Sequence, residues 1–117
     1  MYKQLEPYGK LVDFLGEALG DNVEIALHDL TSQEQEIVAI ANSHISGREV
    51  GAKLSNYQSI HLVNQTKYKD HDYVMNYKTT GQMGSYYVQQ LILSKKMVEN
   101  YQLECYVLML IFLIMNI

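Results

Sequence analysis

The apolar residues at the start of the chain recur at helical spacing. Between positions 8 and 19 they fall at intervals of three and four residues, which predicts an amphipathic helix with one apolar stripe. Pro7 suits the first turn of such a helix, and Gly20 suits its end. The predicted stripe consists of Tyr8, Leu11, Val12, Leu15, Ala18 and Leu19.

After this helix, the apolar residues recur at every second position instead of at helical spacing. The stretch "NVEIALHDL" predicts a strand with Val23, Ile25 and Leu27 on one face and Glu24, Ala26 and His28 on the other. The polar stretch "DLTSQEQE" predicts a turn. The β-branched run at 37–41 then predicts a second, more buried strand that pairs with the first.

The segments after residue 51 predict one more helix and one more strand. The stretch "KLSNYQSIHLVNQ" predicts a short helix capped by Ser55, and "DYVMNY" predicts a third strand. A chain of 117 residues favours a single domain. The order of elements therefore predicts an α+β domain built around an antiparallel sheet.

The end of the chain is almost entirely apolar. Residues 105–117 read "CYVLMLIFLIMNI", and a membrane-spanning helix needs about 20 such residues, so this run is too short. A buried strand or core segment is the interpretation that we adopt. The pattern leaves the preceding segment, Tyr86 to Tyr101, open between a helix and an extended strand.

The net charge and the cysteine content restrict the binding partners and the cellular compartment that this protein is expected to have. The net charge is −4, and neither half of the chain is basic enough to bind DNA alone, because phosphate binding needs a clustered positive face. Cys105 is the single cysteine, which excludes an intrachain disulfide and a thiolate zinc site. The N-terminus lacks the apolar core of a signal peptide. We therefore expect a cytoplasmic protein that does not bind a membrane.

The sequence offers little support for catalysis. His28 and Asp29 would be half of a metal-hydrolase site, but the other histidines lie at no recognisable ligand spacing, so a role in shaping the strand end is favoured. Nucleophile-elbow and phosphate-loop motifs do not occur. We expect a protein that is not an enzyme and that holds no cofactor.

Polar residues on a loop between apolar elements suggest ligand binding instead. The candidate ligand-binding residues are Asn42, His44, Arg48, Asn76 and Tyr77. Arg48 is able to hold a ligand carboxylate with two hydrogen bonds. In the alternative interpretation, Arg48 pairs with a local acid and Asn42 caps a turn.

An ordered set of motifs resembles the YheO-like PAS domains of bacterial transcriptional regulators. The motifs are "E-x3-HDL" at residues 24–30, "I-x2-I-x-N-x2-I-S-G-R-x-V-G" at 37–51 and "NY" at 76–77. The resemblance covers about residues 11–80. It implies a PAS-like sensory module: a twisted antiparallel sheet with helices on one side, a possible ligand cavity, no enzymatic activity, and in the family a following helix-turn-helix domain.

The resemblance weakens after Thr80, where the family's closing strand motifs do not appear. Reading plausible codons for residues 81–117 two bases later gives, with permitted codon choices, a "KKNGGK" hairpin turn and the family motifs in order. We hypothesise that an insertion or deletion near the codons for residues 79–82 shifted the frame. On this hypothesis residues 1–80 are an incomplete PAS-like sensory domain and residues 81–117 a divergent apolar tail. The last strands would be missing or replaced, and the DNA-binding domain would be lost.

Three functions follow from these patterns. The first is a truncated sensory domain that binds an unknown small molecule, forms a homodimer and contacts DNA only through its missing C-terminal domain. The second is a dimerisation module without a ligand. The third, and weakest, is a small metal-dependent hydrolase that uses His28 and Asp29.

Overall fold

A five-stranded antiparallel sheet and one helix form the described part of the computed structural model, which comprises residues 6–54, 73–80, 86–98 and 101–115. Helix α1 spans Glu6–Leu19. The strands are β1 (Val23–Asp29), β2 (Ile37–Ala41), β3 (Tyr73–Thr80), β4 (Tyr86–Val98) and β5 (Tyr101–Met115). They lie in the order β2-β1-β5-β4-β3, so the chain returns from the β3 edge to the centre of the sheet.

Helix α1 packs on one face of the sheet with a narrower stripe than the one predicted. Val12 is fully buried, and Tyr8 and Leu15 pack on the same core cluster. The other predicted members, Leu11, Ala18 and Leu19, are exposed, so that part of the prediction is wrong. The helix ends where expected, because Gly20 adopts φ +84°, a left-handed conformation that suits a glycine.

The two faces of β1 separate as the alternation predicted. Val23, Ile25 and Leu27 form the core cluster beneath α1. Glu24, Ala26 and His28 occupy the opposite face, and all seven residues of β1 are buried. Throughout, "inner face" denotes the face of the sheet that carries Glu24, Ala26 and His28.

Strand β2 is less buried than the sequence predicted. It pairs with β1 as expected, with Ile25 opposite Ala41 and Leu27 opposite Ala39. Only Ile37 is buried, however, and the other four residues of the strand are half-buried. The physical reason is position, since β2 lies at an edge of the sheet, and a β-branched run does not distinguish an edge strand from a central one.

The apolar C-terminal segment forms the centre of the sheet. Strand β5 lies between β1 and β4, with Leu110 opposite Ile25 and Met109 opposite both Ala26 and Leu91. A central strand has two neighbours and two faces to bury, which explains why its residues are apolar without alternation. The predicted buried strand is confirmed, and the open choice for residues 86–101 is resolved in favour of an extended strand over 86–98.

The predicted connecting helix capped by Ser55 lies outside the described residues. In the part of the chain that is described, no helix is both long enough and apolar enough to cross a membrane.

Candidate functional site

A buried carboxylate holds the loop that follows β2. Glu24 is fully buried on β1, and its Oε2 accepts a 2.8 Å hydrogen bond from Nη2 of Arg48. Its Oε1 accepts hydrogen bonds from the backbone N–H and from the hydroxyl of Ser46. The Nε–H of Arg48 also donates to the Ser46 hydroxyl. Burying a charge is costly unless it is paired and hydrogen-bonded, and this arrangement meets both requirements.

Asn42 joins the same loop to the helix and to β1. Its side-chain Nδ2 lies 3.0 Å from the carbonyl of Gly16, 2.9 Å from that of Gly20 and 2.8 Å from that of Val23. The NH₂ group has two hydrogens, so at least one is shared between carbonyls. Asn42 also has φ +57°, a left-handed conformation that asparagine tolerates better than most residues. Its amide nitrogen therefore satisfies carbonyls at the end of α1.

The approach of helix to sheet explains a glycine that the sequence analysis did not single out. A Cβ atom added to Gly16 would lie 2.5 Å from Cβ of Ala41, well inside van der Waals contact. Helix α1 is able to approach β2 this closely only because position 16 has no side chain. A glycine inside a predicted apolar stripe was the available signal.

Main-chain hydrogen bonds close the loop back onto β2. The N–H of Ile37 donates to the carbonyl of Ala52, and the N–H of Gly51 donates to the carbonyl of Ile37, both at 2.9 Å. Gly51 adopts φ +93° and Gly47 adopts φ +75°. These are conformations in which a side chain would be strained, so the two glycines of the motif have a conformational role.

His28 presents an unpartnered nitrogen on the inner face. Its ring is fully buried, and its Nδ1 lies 2.8 Å from the carbonyl of Gln35. Because a carbonyl only accepts, Nδ1 carries the proton, and Nε2 of the neutral ring is a lone-pair acceptor. Nε2 is buried and has no hydrogen-bond partner among the described residues.

The protonation of His28 is disfavoured by its surroundings. Burial lowers the pKa of His28 to about 4, with a smaller lowering by the positive charge of Arg48. The hydrogen bond to the Gln35 carbonyl acts in the opposite direction but is outweighed. His28 is therefore neutral at physiological pH, which keeps the Nε2 lone pair available.

Asp29 shapes the turn between β1 and β2. Its Oδ1 accepts hydrogen bonds from the backbone N–H and the hydroxyl of Thr31, at 2.9 and 2.6 Å. Because His28 and Asp29 are neighbours on a strand, their side chains lie on opposite faces and do not converge on one ion. Within the described ranges, no group of three or more His, Cys, Asp or Glu side chains is placed to hold a metal ion.

Gln89 is a second buried polar group on the inner face, and sequence reasoning missed it. Its side chain is 5% exposed, and its Oε1 has no hydrogen-bond partner in the part of the chain that the structure describes. Gln89 lies opposite Ile111, which lies opposite Glu24, so the three residues form one row across β4, β5 and β1. A glutamine in an apolar stretch was a signal, but only the register shows which face it occupies.

The structure brings some predicted ligand-binding residues together and separates others. Asn42, His44 and Arg48 lie on the loop after β2, where Nε2 of the exposed His44 donates to the carbonyl of Asp21. Asn76 and Tyr77 lie on β3, at the opposite edge of the sheet, and their side chains are outside the description. The described geometry assigns Arg48 to a local acid and Asn42 to backbone carbonyls. Ligand binding by these five residues stays a prediction.

The order and pairing of the strands define the class of protein. A five-stranded antiparallel sheet with a helix packed on one face is a PAS-like α+β fold, as expected from the motifs. The chain is similar in structure to a solved chain described as "Structure of an RNA-binding Light-Oxygen-Voltage Receptor", with a TM-score of 0.55 and 16% sequence identity. The match covers 96% of this chain and 34% of that chain, so the present chain spans about a third of the receptor's length. A likeness at this identity shows the fold alone.

The family follows from the sequence. The model of the YheO-like PAS domain family matches residues 1–99, and the chain belongs to that family. The match continues past Thr80 and through β4, further than the motifs alone indicated. A search of the curated proteins finds no match. The chain therefore contains a PAS domain, a kind of domain that is typically sensory or regulatory rather than catalytic.

Proposed function

We propose that this chain is the small-molecule-sensing domain of a bacterial transcriptional regulator that acts in the cytoplasm. DNA would be contacted through a C-terminal helix-turn-helix domain, as the resemblance to the YheO-like regulators implies. The observation that carries the proposal is the composition of the inner face. Glu24, His28 and Gln89 are buried there beside Ala26 and Met109, and buried polar groups in an apolar layer are typical of small-ligand sites.

Arg48 is the residue through which this site would recognise an acidic ligand. Its guanidinium group carries five N–H donors, and the described contacts use one Nη2 hydrogen for Glu24 and the Nε hydrogen for Ser46. The remaining hydrogens are available to a ligand carboxylate, and the side chain is 23% exposed. On this proposal Asn42 and His44 shape the loop that presents Arg48, and Asn76 and Tyr77 contribute from β3.

Ligand-induced thermal stabilisation tests the proposal. A panel of amino acids and small organic acids should raise the melting temperature, because a ligand that binds only the folded state stabilises it. Arg48→Ala should abolish that rise, whatever it does to the melting temperature without ligand. Lys53→Ala is the matched control, since Lys53 is an exposed cation paired with Glu34. If no compound shifts the melting temperature, or if both variants behave alike, ligand recognition by Arg48 is refuted.

Exposed apolar side chains favour a second candidate, a dimerisation module. Phe14 on α1 is 65% exposed, and Tyr73, Met75 and Ile92 on β3 and β4 are 50–61% exposed. Large apolar side chains that are exposed in a monomer are often covered by a partner when they cluster, as Tyr73 and Ile92 do on adjacent strands. We therefore propose a homodimer, which light scattering coupled to size-exclusion chromatography would detect. A monomer at all accessible concentrations would remove this candidate.

A further inference from the structure

The inner face carries two polar atoms that the described protein leaves unsatisfied. These atoms are Nε2 of His28 and Oε1 of Gln89, each buried and without a hydrogen-bond partner among the described residues. Leaving a buried polar group unpaired costs about 1–3 kcal/mol, so native proteins leave few of them. Two on one face of one sheet indicate that a further molecule completes their hydrogen bonding.

The fold determines that Nε2 of His28 accepts, and does not donate, a hydrogen bond. Nδ1 of His28 must carry the ring proton because it donates to the Gln35 carbonyl, so Nε2 only accepts. The partner of Nε2 is therefore an O–H or N–H donor. The partner of Gln89 can be either a donor or an acceptor, because a 180° rotation of the amide group exchanges its oxygen and its NH₂ group.

The strand register gives the distance between the two contacts. His28 lies opposite Val107, which lies opposite Leu93, and Gln89 is four residues from Leu93 on β4. Four residues along a strand and two strands across separate the Cα atoms of His28 and Gln89 by roughly 16 Å. The buried residues on the inner face between them are Ala26, Met109, Leu91 and Ile111.

An anionic ligand is disfavoured at both ends of this face, by the carboxylate of Glu24 in the row of Gln89 and by the Nε2 lone pair at His28. Glu24 is a buried carboxylate in the same row as Gln89, and Arg48 already pairs with it. His28 itself is neutral and donates nothing from Nε2. A carboxylate beside Nε2 would therefore meet a lone pair rather than a proton.

We infer that the ligand is an elongated, mainly apolar, uncharged molecule that donates an O–H or N–H to Nε2 of His28 and places a second polar atom at the amide of Gln89. The inference rests on the proposed sensing function, and recognition of an acidic ligand by Arg48 is the competing outcome of the test. The two ideas therefore predict opposite preferences among molecules of equal length.

Matched eight-carbon probes separate these possibilities. The probes are octanol, which has an O–H donor at one end, methyl heptyl ether, which is its isomer without a donor, 1,8-octanediol, which has a hydroxyl at both ends, and octanoate, which is charged. We expect octanol to bind roughly tenfold more tightly than the ether, as one hydrogen bond allows, and the diol to bind more tightly than octanol. Equal binding of octanol and the ether would overturn the inference.

Two variants and one spectroscopic signal locate the contacts. His28→Asn removes Nε2 but retains an N–H able to reach the Gln35 carbonyl, and it should erase the preference for octanol over the ether. Gln89→Leu removes the amide without changing size greatly, should fold at least as stably, and should erase the preference for the diol over octanol. In wild-type protein the ¹⁵N resonance of His28 Nε2 should move, on octanol binding, toward that of a hydrogen-bonded acceptor. An unmoved resonance under saturating octanol would contradict the contact even if a variant failed to fold.

The outcomes also distinguish this inference from the function on which it rests. If octanoate binds through Arg48 while octanol and the diol do not bind, the sensing function stands and the neutral ligand is wrong. If none of the four probes and none of the acid panel binds, both are wrong.

Discussion

Acidification should destabilise this protein through His28. Folding lowers the pKa of this histidine from 6.5 to about 4, chiefly because its ring is buried. The folded state therefore binds fewer protons at this position than the unfolded state does. The stability associated with the neutral ring is fully present above pH 6.5 and is lost as the pH falls toward 4.

The loss of unfolding free energy follows from the lowering of the His28 pKa on folding. A difference of 2.5 pKa units, 6.5 minus 4, corresponds to about 3 kcal/mol at about 1.4 kcal/mol for each unit. About 2 kcal/mol of this should already be lost at roughly pH 5, where most carboxylates are still ionised. Small domains are stable by about 5–15 kcal/mol, so a loss of this size is readily measured.

Urea unfolding at a series of pH values measures this loss of stability. The unfolding free energy of wild-type protein, followed by far-UV circular dichroism, should fall by about 2 kcal/mol more than that of His28→Asn between roughly pH 7.5 and 5. His44→Asn is the matched control, because it removes another histidine and leaves His28 in place. It must retain the wild-type pH dependence.

Parallel curves for the wild type and His28→Asn would contradict the assignment of this pH dependence to His28. If wild type and His28→Asn lose the same free energy over this range, His28 is either protonated in the folded state or already solvated there. A ligand that hydrogen-bonds Nε2 of the neutral ring should also bind more weakly as the pH falls, which the octanol titration described above would report.

Three further predictions concern the loop, the helix and the gene. Gly16→Ala should destabilise the fold by about 1–3 kcal/mol in urea unfolding, because its Cβ would overlap Ala41, and adding Ala41→Gly should recover part of the loss. Arg48→Met should cost about 3–5 kcal/mol, because it leaves the buried carboxylate of Glu24 without its counter-charge. Sequencing the DNA that encodes this chain, beside that of intact relatives, should show an insertion or deletion near the codons for residues 79–82.

Each of these has an outcome that contradicts it. A Gly16→Ala protein as stable as wild type would mean that α1 does not approach β2 so closely. For Arg48→Met the comparison is Lys53→Met, which removes an exposed charge and should leave stability unchanged; equal effects would show that Glu24 is not buried. An intact reading frame with unrelated codons would end the frameshift hypothesis.

The motif residues were identifiable from the sequence, but their partners were not. Glu24, Asn42, Ser46 and Arg48 all belong to the pattern that indicated the family. The sequence could not show that Ser46 and Arg48 both bind Glu24, because these contacts join residues more than 20 positions apart. Arg48 accordingly suggested a ligand clamp, whereas the structure gives it a buried carboxylate as partner.

Local periodicity determined α1, β1 and β2, together with the faces of β1, because side-chain direction within an element depends only on helical or strand geometry. Only the tertiary structure decided which strands are central and which lie at the edges. That choice left β2 half-buried and placed the apolar C-terminal run between β1 and β4. Strand register likewise decided that Gln89 shares a row with Glu24, because pairing between distant segments depends on how the whole sheet buries its two faces.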